Sequence, residues 1–118
     1  MALKDYQKWF KEARLGLFIH WGLYSVLGKG EWAMMRERYT NEEYAKLTQE
    51  FMPENFDMET WFDFAEKCGV KYMVFTTRHH DGFALWDSQA DSYNSVKSPI
   101  NRVFVAEFTT LCRKHNMK

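Results

Sequence analysis

Hydrophobic residues recur along the chain with two kinds of spacing, which together predict four helices and two strands. The predicted helices cover residues 5–13, 41–50, 58–68 and 102–115, and the predicted strands cover residues 15–19 and 70–77. The helices carry apolar residues every three or four positions. The first strand is a continuous apolar run, and the second is rich in β-branched and aromatic residues. Strands that are apolar on both faces are typical of parallel sheets buried on both sides.

Two of the predicted helices begin or end at residues that favour a helix terminus. Thr40 precedes the second helix and Asp57 precedes the third, and both are good N-caps. Gly69 follows the third helix, where a left-handed residue is expected. The residues predicted to face the core are Tyr44, Leu47 and Phe51 from the second helix, Trp61, Phe64, Ala65 and Cys68 from the third, and Phe104, Phe108, Leu111 and Cys112 from the last.

The order of the elements predicts an α/β fold. Strand, loop and helix follow one another twice, which indicates βα units of a parallel sheet. In such folds, binding sites lie at the carboxyl ends of the strands. The first strand ends at His20 and Trp21, and the second ends in residues 78–82. The most unusual clusters of the sequence therefore stand where a site is expected.

The cluster after the first strand combines groups that suit a sugar. His20 can hydrogen-bond through each ring nitrogen, and Trp21 offers a flat apolar face. The following loop adds Glu31, whose carboxylate can bind hydroxyls or transfer a proton, and Trp32. A core histidine satisfied by the backbone and a solvated loop glutamate are the alternatives when each residue is taken alone.

The cluster after the second strand contains the adjacent histidines His79 and His80. Neighbouring residues of a strand point to opposite faces. If the strand continues through this pair, its two histidines are poorly placed to bind one metal ion together. Recognition of hydroxyl groups is the preferred interpretation, with a metal site and a structural role as alternatives. Gly82 allows a sharp turn after the pair.

Composition narrows the function classes. The 118 residues are 46% hydrophobic and 18% aromatic, which excludes a disordered chain, and one domain over residues 1–118 is expected. The net charge of zero argues against a nucleic-acid partner. The apolar runs are too short for a membrane span, and no signal peptide is visible, so a cytoplasmic location is the default. Cys68 and Cys112 are expected to be buried free thiols, with a disulfide as the alternative.

Several blocks of this sequence resemble the opening of the retaining α-L-fucosidases, glycoside hydrolase family twenty-nine. The longest blocks are residues 9–26 and 71–83, and shorter ones lie at residues 30–32, 43–45 and 51–57. The blocks occur in the family's order and cover nearly the whole chain. Three residues depart from the family's pattern. Arg78 stands where lysine is more usual, and Met34 stands where an aromatic residue is common. Phe104 places an unexpectedly large apolar side chain in the segment that leads into the last predicted helix.

The resemblance implies a fold, an activity and site residues. It implies a TIM-type (β/α)8 barrel that hydrolyses α-L-fucosides with retention and uses neither a metal nor a cofactor. Retention requires two carboxyl groups about 5 Å apart. By resemblance, His20, Glu31, Trp32, His79 and His80 bind fucose, and Glu31 is a candidate for proton transfer. A fucosylated glycan or a small fucoside is the implied partner.

The family's third strand and its aspartate nucleophile would come after residue 118. The expectation is therefore a barrel truncated before its third strand. The resemblance does not decide whether this chain is active in isolation. Two strands expose sheet edges and apolar surface, which predicts self-association into a homo-oligomer. Four copies with two strands each would supply eight strands, and dimers with exchanged elements are equally possible. A catalytically inactive sugar-binding or merely self-assembling fragment is the alternative function.

Overall fold

The computed structural model describes residues 4–53 and 55–118. Its strands and helices follow the predicted order, with two additional short helices in the loop after the first strand. In chain order the elements are α1 (Asp5–Ala13), β1 (Gly16–Ile19), α2 (Tyr24–Leu27), α3 (Ala33–Arg36), α4 (Asn41–Ala45), a 3₁₀ helix (Lys46–Gln49), α5 (Glu59–Lys67), β2 (Tyr72–Phe75) and α6 (Phe104–Lys114).

The two strands pair in parallel, as predicted. Gly16 lies opposite Tyr72, and the register continues to Ile19 opposite Phe75. The N–H of Met73 donates to the carbonyl of Lys118 at 2.8 Å. Because successive N–H groups of a strand point to opposite sides, this bond lies on the edge of β2 that faces away from β1. The chain therefore returns to the sheet beside β2 after α6.

The predicted helix termini at Thr40 and Gly69 are confirmed, whereas α5 begins one residue later than predicted, with Met58 and not Asp57 at its N-cap position. Thr40 accepts a hydrogen bond from the N–H of Glu43, whose carboxylate accepts from the N–H of Thr40, and this reciprocal pair begins α4. Asp57 accepts from the N–H of Glu59 at 2.9 Å, in the first turn of α5. Gly69 has a φ of +74°. The helix predicted over residues 41–50 is half α-helix and half 3₁₀ helix.

The core is largely aromatic and lies between α4, α5, α6 and the sheet. Tyr44, Phe62 and Phe104 are fully buried. The inner face predicted for α5 is partly wrong, because Phe64 is 59% exposed and Cys68 is exposed. Ala65 is buried as predicted and Trp61 is half-buried, while Phe62 is buried in place of Phe64, so the helix is rotated relative to the prediction. The residues predicted to face the core from the second predicted helix, Tyr44, Leu47 and Phe51, are buried. Phe104 and Phe108 of α6 are buried as well.

The β1 side of the sheet is exposed, as expected for two apolar strands without further neighbours. Phe18 of β1 is 64% exposed. Helix α1 buries none of its residues, although Trp9 and Phe10 contact the ring of Tyr72 edge-on or tilted. In the described part of the chain the sheet has only two strands, so one side of β1 has no neighbouring strand to cover it.

The two thiols are unpaired, as predicted, but their predicted burial is only partly right. Cys68 is exposed and Cys112 is half-buried. Burial raises the pKa of the Cys112 thiol. None of the helices within the described ranges has the length and apolar character needed to cross a bilayer.

Candidate functional site

The carboxyl ends of the two strands bring the predicted histidines together. His20 follows β1, and His79 follows β2 by four residues. Because the strands are parallel neighbours, both histidines emerge at the same edge, and their ring centroids are 5.6 Å apart. A ring nitrogen of His20 lies 3.5 Å from the hydroxyl of Thr76, just past β2. This contact ties the end of β1 to the end of β2.

A tight turn after β2 sets the directions of His79 and His80. The N–H of Gly82 donates to the carbonyl of His79 at 3.0 Å, and Arg78 Nε donates to the carbonyl of Gly82 at 2.8 Å. Gly82 has a φ of +79°, which a residue with a Cβ rarely adopts. The two imidazole planes are nearly perpendicular, at 87°, with centroids 4.7 Å apart. The turn, and not the alternation of a continuing strand, therefore sets the arrangement of the two imidazoles.

Trp32 joins this cluster from the loop after β1, immediately before α3. Its indole stacks on His80, with ring centroids 4.2 Å apart and planes at 30°. It meets His79 edge-on at 5.5 Å. His20, Trp32, His79 and His80 thus form a continuous series of ring contacts, here called the aromatic rim.

A pocket of about 230 Å³ opens beside one end of the aromatic rim. It is lined by Glu31, Trp32, Met34, Met35, Tyr39, His80 and Asp81. Ligand pockets for drug-sized molecules have roughly 300–1,000 Å³, so this space suits a smaller ligand. His20 does not line the pocket. Its ring contacts that of His79, which in turn contacts Trp32 in the pocket wall. Of the predicted site residues, the structure therefore groups Glu31, Trp32 and His80 at the pocket and places His79 and His20 along the rim.

Trp21, whose flat face was interpreted as suited to a sugar, does not take part in the rim, although it lines a groove together with His20. Its ring stacks on Phe56 at 4.5 Å and packs edge-on or tilted against other core rings, including Phe104 at 4.9 Å. The indole that accompanies the histidines is that of Trp32. Trp21 stabilises the core beneath the site.

Two polar residues beneath the rim have no counterpart among the predicted site residues. Asp81 is only 9% exposed and accepts hydrogen bonds from the Tyr44 hydroxyl at 3.4 Å and the Phe83 N–H at 3.1 Å. Burial raises the pKa of this carboxyl against the opposing effect of those bonds and of nearby His79. Tyr24 is also buried, and burial and the charge of Asp81 raise the pKa of its hydroxyl. A carboxylate between a histidine pair and the apolar run of residues 83–85 is the sequence signal that could have identified Asp81 as buried.

The described residues bring a trio of possible metal ligands together elsewhere, between α5 and α6. Glu59, Asp63 and His115 each place one ligand atom within 4.8 Å of the others. The two ring nitrogens of His115 already bond to Glu66 at 2.9 Å and to Glu59 at 2.8 Å, and Lys114 pairs with Glu59. Two of the three, Glu59 and His115, are therefore already bonded to protein groups.

Known proteins similar to this chain are α-L-fucosidases. Residues 1–118 match the family model described as alpha-L-fucosidase. The human tissue α-L-fucosidase is 36% identical over 127 residues, a match that covers 93% of this chain and 27% of that enzyme. The chain therefore spans about a quarter of the length of the curated relatives it matches.

Solved structures agree with the sequence match. An α-L-fucosidase of glycoside hydrolase family 29 from Bacteroides thetaiotaomicron superposes with a TM-score of 0.93 at 30% identity, over 99% of this chain and 29% of that one. The Lactobacillus casei α-L-fucosidase AlfC, solved with its α-L-fucose product, gives 0.91 at 38% identity, over 98% of this chain and 38% of that one. The match lies in the N-terminal part of enzymes whose catalytic domain is TIM-like. Fold and sequence agree: the chain belongs to the α-L-fucosidase family of glycoside hydrolases.

Proposed function

We propose that this chain supplies the fucose-binding part of the active site of a retaining α-L-fucosidase, through His20, Glu31, Trp32, His79 and His80. The observation that carries the proposal is the aromatic rim. Three imidazoles and one indole, drawn from two strand ends and a loop, contact one another in series beside a small pocket.

The chemistry of the rim suits a deoxy-sugar. The imidazoles supply directional donors and acceptors for hydroxyl groups, and the indole supplies an apolar face for the sugar's C–H groups. AlfC has been solved with Fucα(1,6)GlcNAc and with 4-nitrophenyl α-L-fucopyranoside. A fucosylated glycan or a small fucoside is therefore the proposed substrate class.

Glu31 is the proposed proton-transfer group. Of the two carboxylates that line the pocket, Asp81 is already bonded to Tyr44 and to the Phe83 N–H. Glu31 is half-buried at the pocket wall, where it can reach a bound ligand. Retention also requires a nucleophilic carboxyl group about 5 Å from the acid/base, and the resemblance places that group on a later strand.

Sugar binding is tested by calorimetry with L-fucose. Trp32→Ala removes the indole from the rim and is expected to weaken binding about tenfold, the loss of one aromatic contact. Trp9→Ala is the matched control, because Trp9 lies on exposed α1 against Tyr72. Equal affinities for the wild type and Trp32→Ala contradict the proposed site.

Hydrolysis of 4-nitrophenyl α-L-fucoside separates an enzyme from an inactive sugar-binding chain. If the chain hydrolyses the substrate, Glu31→Gln is expected to lower the rate by about a hundredfold or more. Glu37→Gln is the control, since Glu37 is exposed and pairs with Lys29 at 3.0 Å. Fucose binding without hydrolysis supports the inactive alternative.

We also propose that a second copy of the chain covers the β1 side of the sheet. A groove there is lined mainly by apolar residues, and Phe18 and Phe64 on its wall are 64% and 59% exposed. Exposed apolar surface beside an open strand edge favours association. The expected partner is this same chain, because its own β1 presents the matching open edge.

Size-exclusion chromatography with light scattering tests this association. The wild type is expected to form an oligomer, and Phe64→Lys is expected to shift it toward the monomer. Tyr6→Lys is the control, since Tyr6 is 67% exposed on α1. A wild-type monomer at micromolar concentration contradicts the proposal.

A further inference from the structure

A second pocket adjoins the pocket beside the aromatic rim. It is here called the side pocket, and its lining includes Met34, Arg78, His80, Asp81, Asp91 and Tyr93. Met34, His80 and Asp81 line both pockets, whereas Glu31 and Trp32 line only the first one. The side pocket has a volume of about 370 Å³, within the roughly 300–1,000 Å³ that is usual for small-molecule sites. It therefore extends the first pocket past His80, away from the indole, and one ligand can occupy both spaces.

Arg78 is fixed at the wall of the side pocket and keeps unused donors. Its Nε donates to the carbonyl of Gly82 at 2.8 Å, and its Nη2 donates to Asp91 at 3.2 Å. A guanidinium group has five N–H donors in a planar fork, and these two bonds occupy only part of the fork. Among the described residues, Nη1 has no hydrogen-bond partner. A guanidinium that is held by the protein at one end and unpaired at the other is prepared to donate to an oxygen of a ligand.

Tyr93 adds a hydroxyl group to the wall of the same pocket. Within the described ranges this hydroxyl makes no hydrogen bond, and it is not one of the buried atoms left without a partner, so a ligand can reach it. The ring is held by an edge-on contact with Phe83, with centroids 5.2 Å apart. Burial and the charges of Asp81 and Asp91 raise the pKa of the hydroxyl, which therefore stays protonated. It can both donate a hydrogen bond to a ligand and accept one.

The charges of the side pocket favour a neutral ligand. Among the described residues that line it, the carboxylates of Asp81 and Asp91 outnumber the guanidinium of Arg78. Asp91 neutralises that guanidinium at 3.2 Å, so an anion in the pocket would meet the charge of Asp81 without an unpaired cation. A neutral ligand with several hydroxyl groups avoids this repulsion. It can accept from Arg78 and Tyr93 and donate to Asp91, and these are the properties of a sugar ring.

We propose that the side pocket binds the second sugar of a fucosylated glycan and that Arg78 and Tyr93 select this sugar. The inference rests on the proposed function, in which fucose lies at the aromatic rim and the first pocket. The bond between the two sugars then passes beside His80, which lines both pockets. Lysine, which is more usual at position 78 in the family, has a single nitrogen and lacks the fork that holds Gly82 and Asp91 while presenting Nη1. Arg78 is therefore a specificity-determining residue of this chain.

Calorimetry on the full 118-residue chain with methyl α-L-fucoside, Fucα(1,6)GlcNAc and inorganic sulfate tests the proposal. The disaccharide is expected to bind the wild type about tenfold more tightly than the methyl fucoside, the effect of one or two hydrogen bonds. In Tyr93→Phe and in Arg78→Lys this advantage is expected to fall to about twofold. Tyr93→Phe keeps the ring against Phe83, so it remains informative even if Arg78→Lys disturbs the turn. Tyr6→Phe is the matched control, because it removes a hydroxyl from the exposed helix α1 and is expected to keep the full advantage. Sulfate is expected not to bind.

The results separate this inference from the proposed function. If the wild type binds neither the methyl fucoside nor the disaccharide, both are overturned. If it binds the methyl fucoside and the disaccharide no more tightly, only the second-sugar site is overturned. An advantage that Tyr93→Phe and Arg78→Lys both keep overturns that site as well, and so does sulfate binding that Arg78→Lys weakens, because the side pocket would then be an anion site. A tenfold advantage that Tyr93→Phe reduces and Tyr6→Phe leaves intact supports the proposal.

Discussion

Two histidines of this chain differ in the hydrogen-bond partners that the surrounding protein gives them. His115, after α6, bonds through both ring nitrogens to Glu59 and Glu66 of α5. His79, at the end of β2, keeps a buried Nδ1 with no partner among the described residues. Glu59, Glu66, Lys114 and His115 are here called the interhelix cluster, in contrast to the aromatic rim.

The comparison distinguishes a cluster whose groups bond to one another from a cluster whose groups remain available to a ligand. In the interhelix cluster every charge meets an opposite charge, so little capacity remains for an external ligand. In the aromatic rim the rings touch one another, but their nitrogens make few hydrogen bonds, so the capacity to bind remains. Unmet buried hydrogen-bonding groups in a native structure call for an explanation, and the proposed fucose site offers one.

The largest expected effect concerns the face of α5 that packs on the core. Phe62 is fully buried and Phe64 is 59% exposed on the same helix. Phe62→Ala is expected to lower the free energy of unfolding by about 3–5 kcal/mol. The matched Phe64→Ala is expected to lower it by less than about 1 kcal/mol. Urea denaturation followed by circular dichroism measures both, and equal losses would contradict the observed rotation of α5.

A smaller effect is expected at the cap of α4, the helix whose Tyr44 bonds to Asp81 beneath the rim. Thr40→Ala removes the hydroxyl that accepts from the Glu43 N–H and is expected to cost about 1 kcal/mol. Thr109→Ala is the control, because its exposed hydroxyl bonds back to a carbonyl within α6. An unchanged unfolding midpoint for Thr40→Ala would show that the cap does not stabilise α4.

The smallest effect is a pH dependence confined to the interhelix cluster. Hydrogen bonds from His115 to Glu66 and Glu59 raise its pKa, so its contribution is complete below the ordinary value of about 6.5 and is lost as pH rises through the raised pKa. The pKa of Glu59 is lowered by Lys114 and His115, so its contribution is lost as pH falls through that lowered pKa. His115→Gln is therefore expected to be less stable than the wild type at pH 6, with a difference that shrinks by pH 9. Thermal melting at a series of pH values measures this, and a pH-independent difference would argue against the ion pairs.

Sequence reasoning predicted the elements better than their orientation. The alternation of strand and helix, the cap at Thr40 and the left-handed Gly69 depend on local chemistry, so they could be predicted. The rotation of α5 depends on which residues the rest of the fold covers, and a helix with apolar residues at both Phe62 and Phe64 does not specify that locally. The exposure of β1 could be expected only from the number of strands, since an apolar run does not itself reveal how many strands surround it.

The site was predicted in part for a similar reason. Histidines that end parallel strands converge because of topology, so His20 and His79 could be expected to meet. Taken alone, Trp21 and Trp32 are equivalent as sequence signals, and only the family resemblance singled out Trp32. The packing of Trp21 against Phe56 and Phe104 explains why Trp21 does not join the rim. The burial of Tyr24 and Asp81 beneath the rim comes from tertiary packing, which their places in the sequence do not show.

A titration of the ¹⁵N-labelled chain with L-fucose, followed by NMR, tests the central claim most directly. We predict saturable shifts for the ring signals of His20, Trp32, His79 and His80, with the signals of His115 unchanged. Shifts that spread equally to His115, or no shifts at the four rim residues at millimolar fucose, would contradict the account.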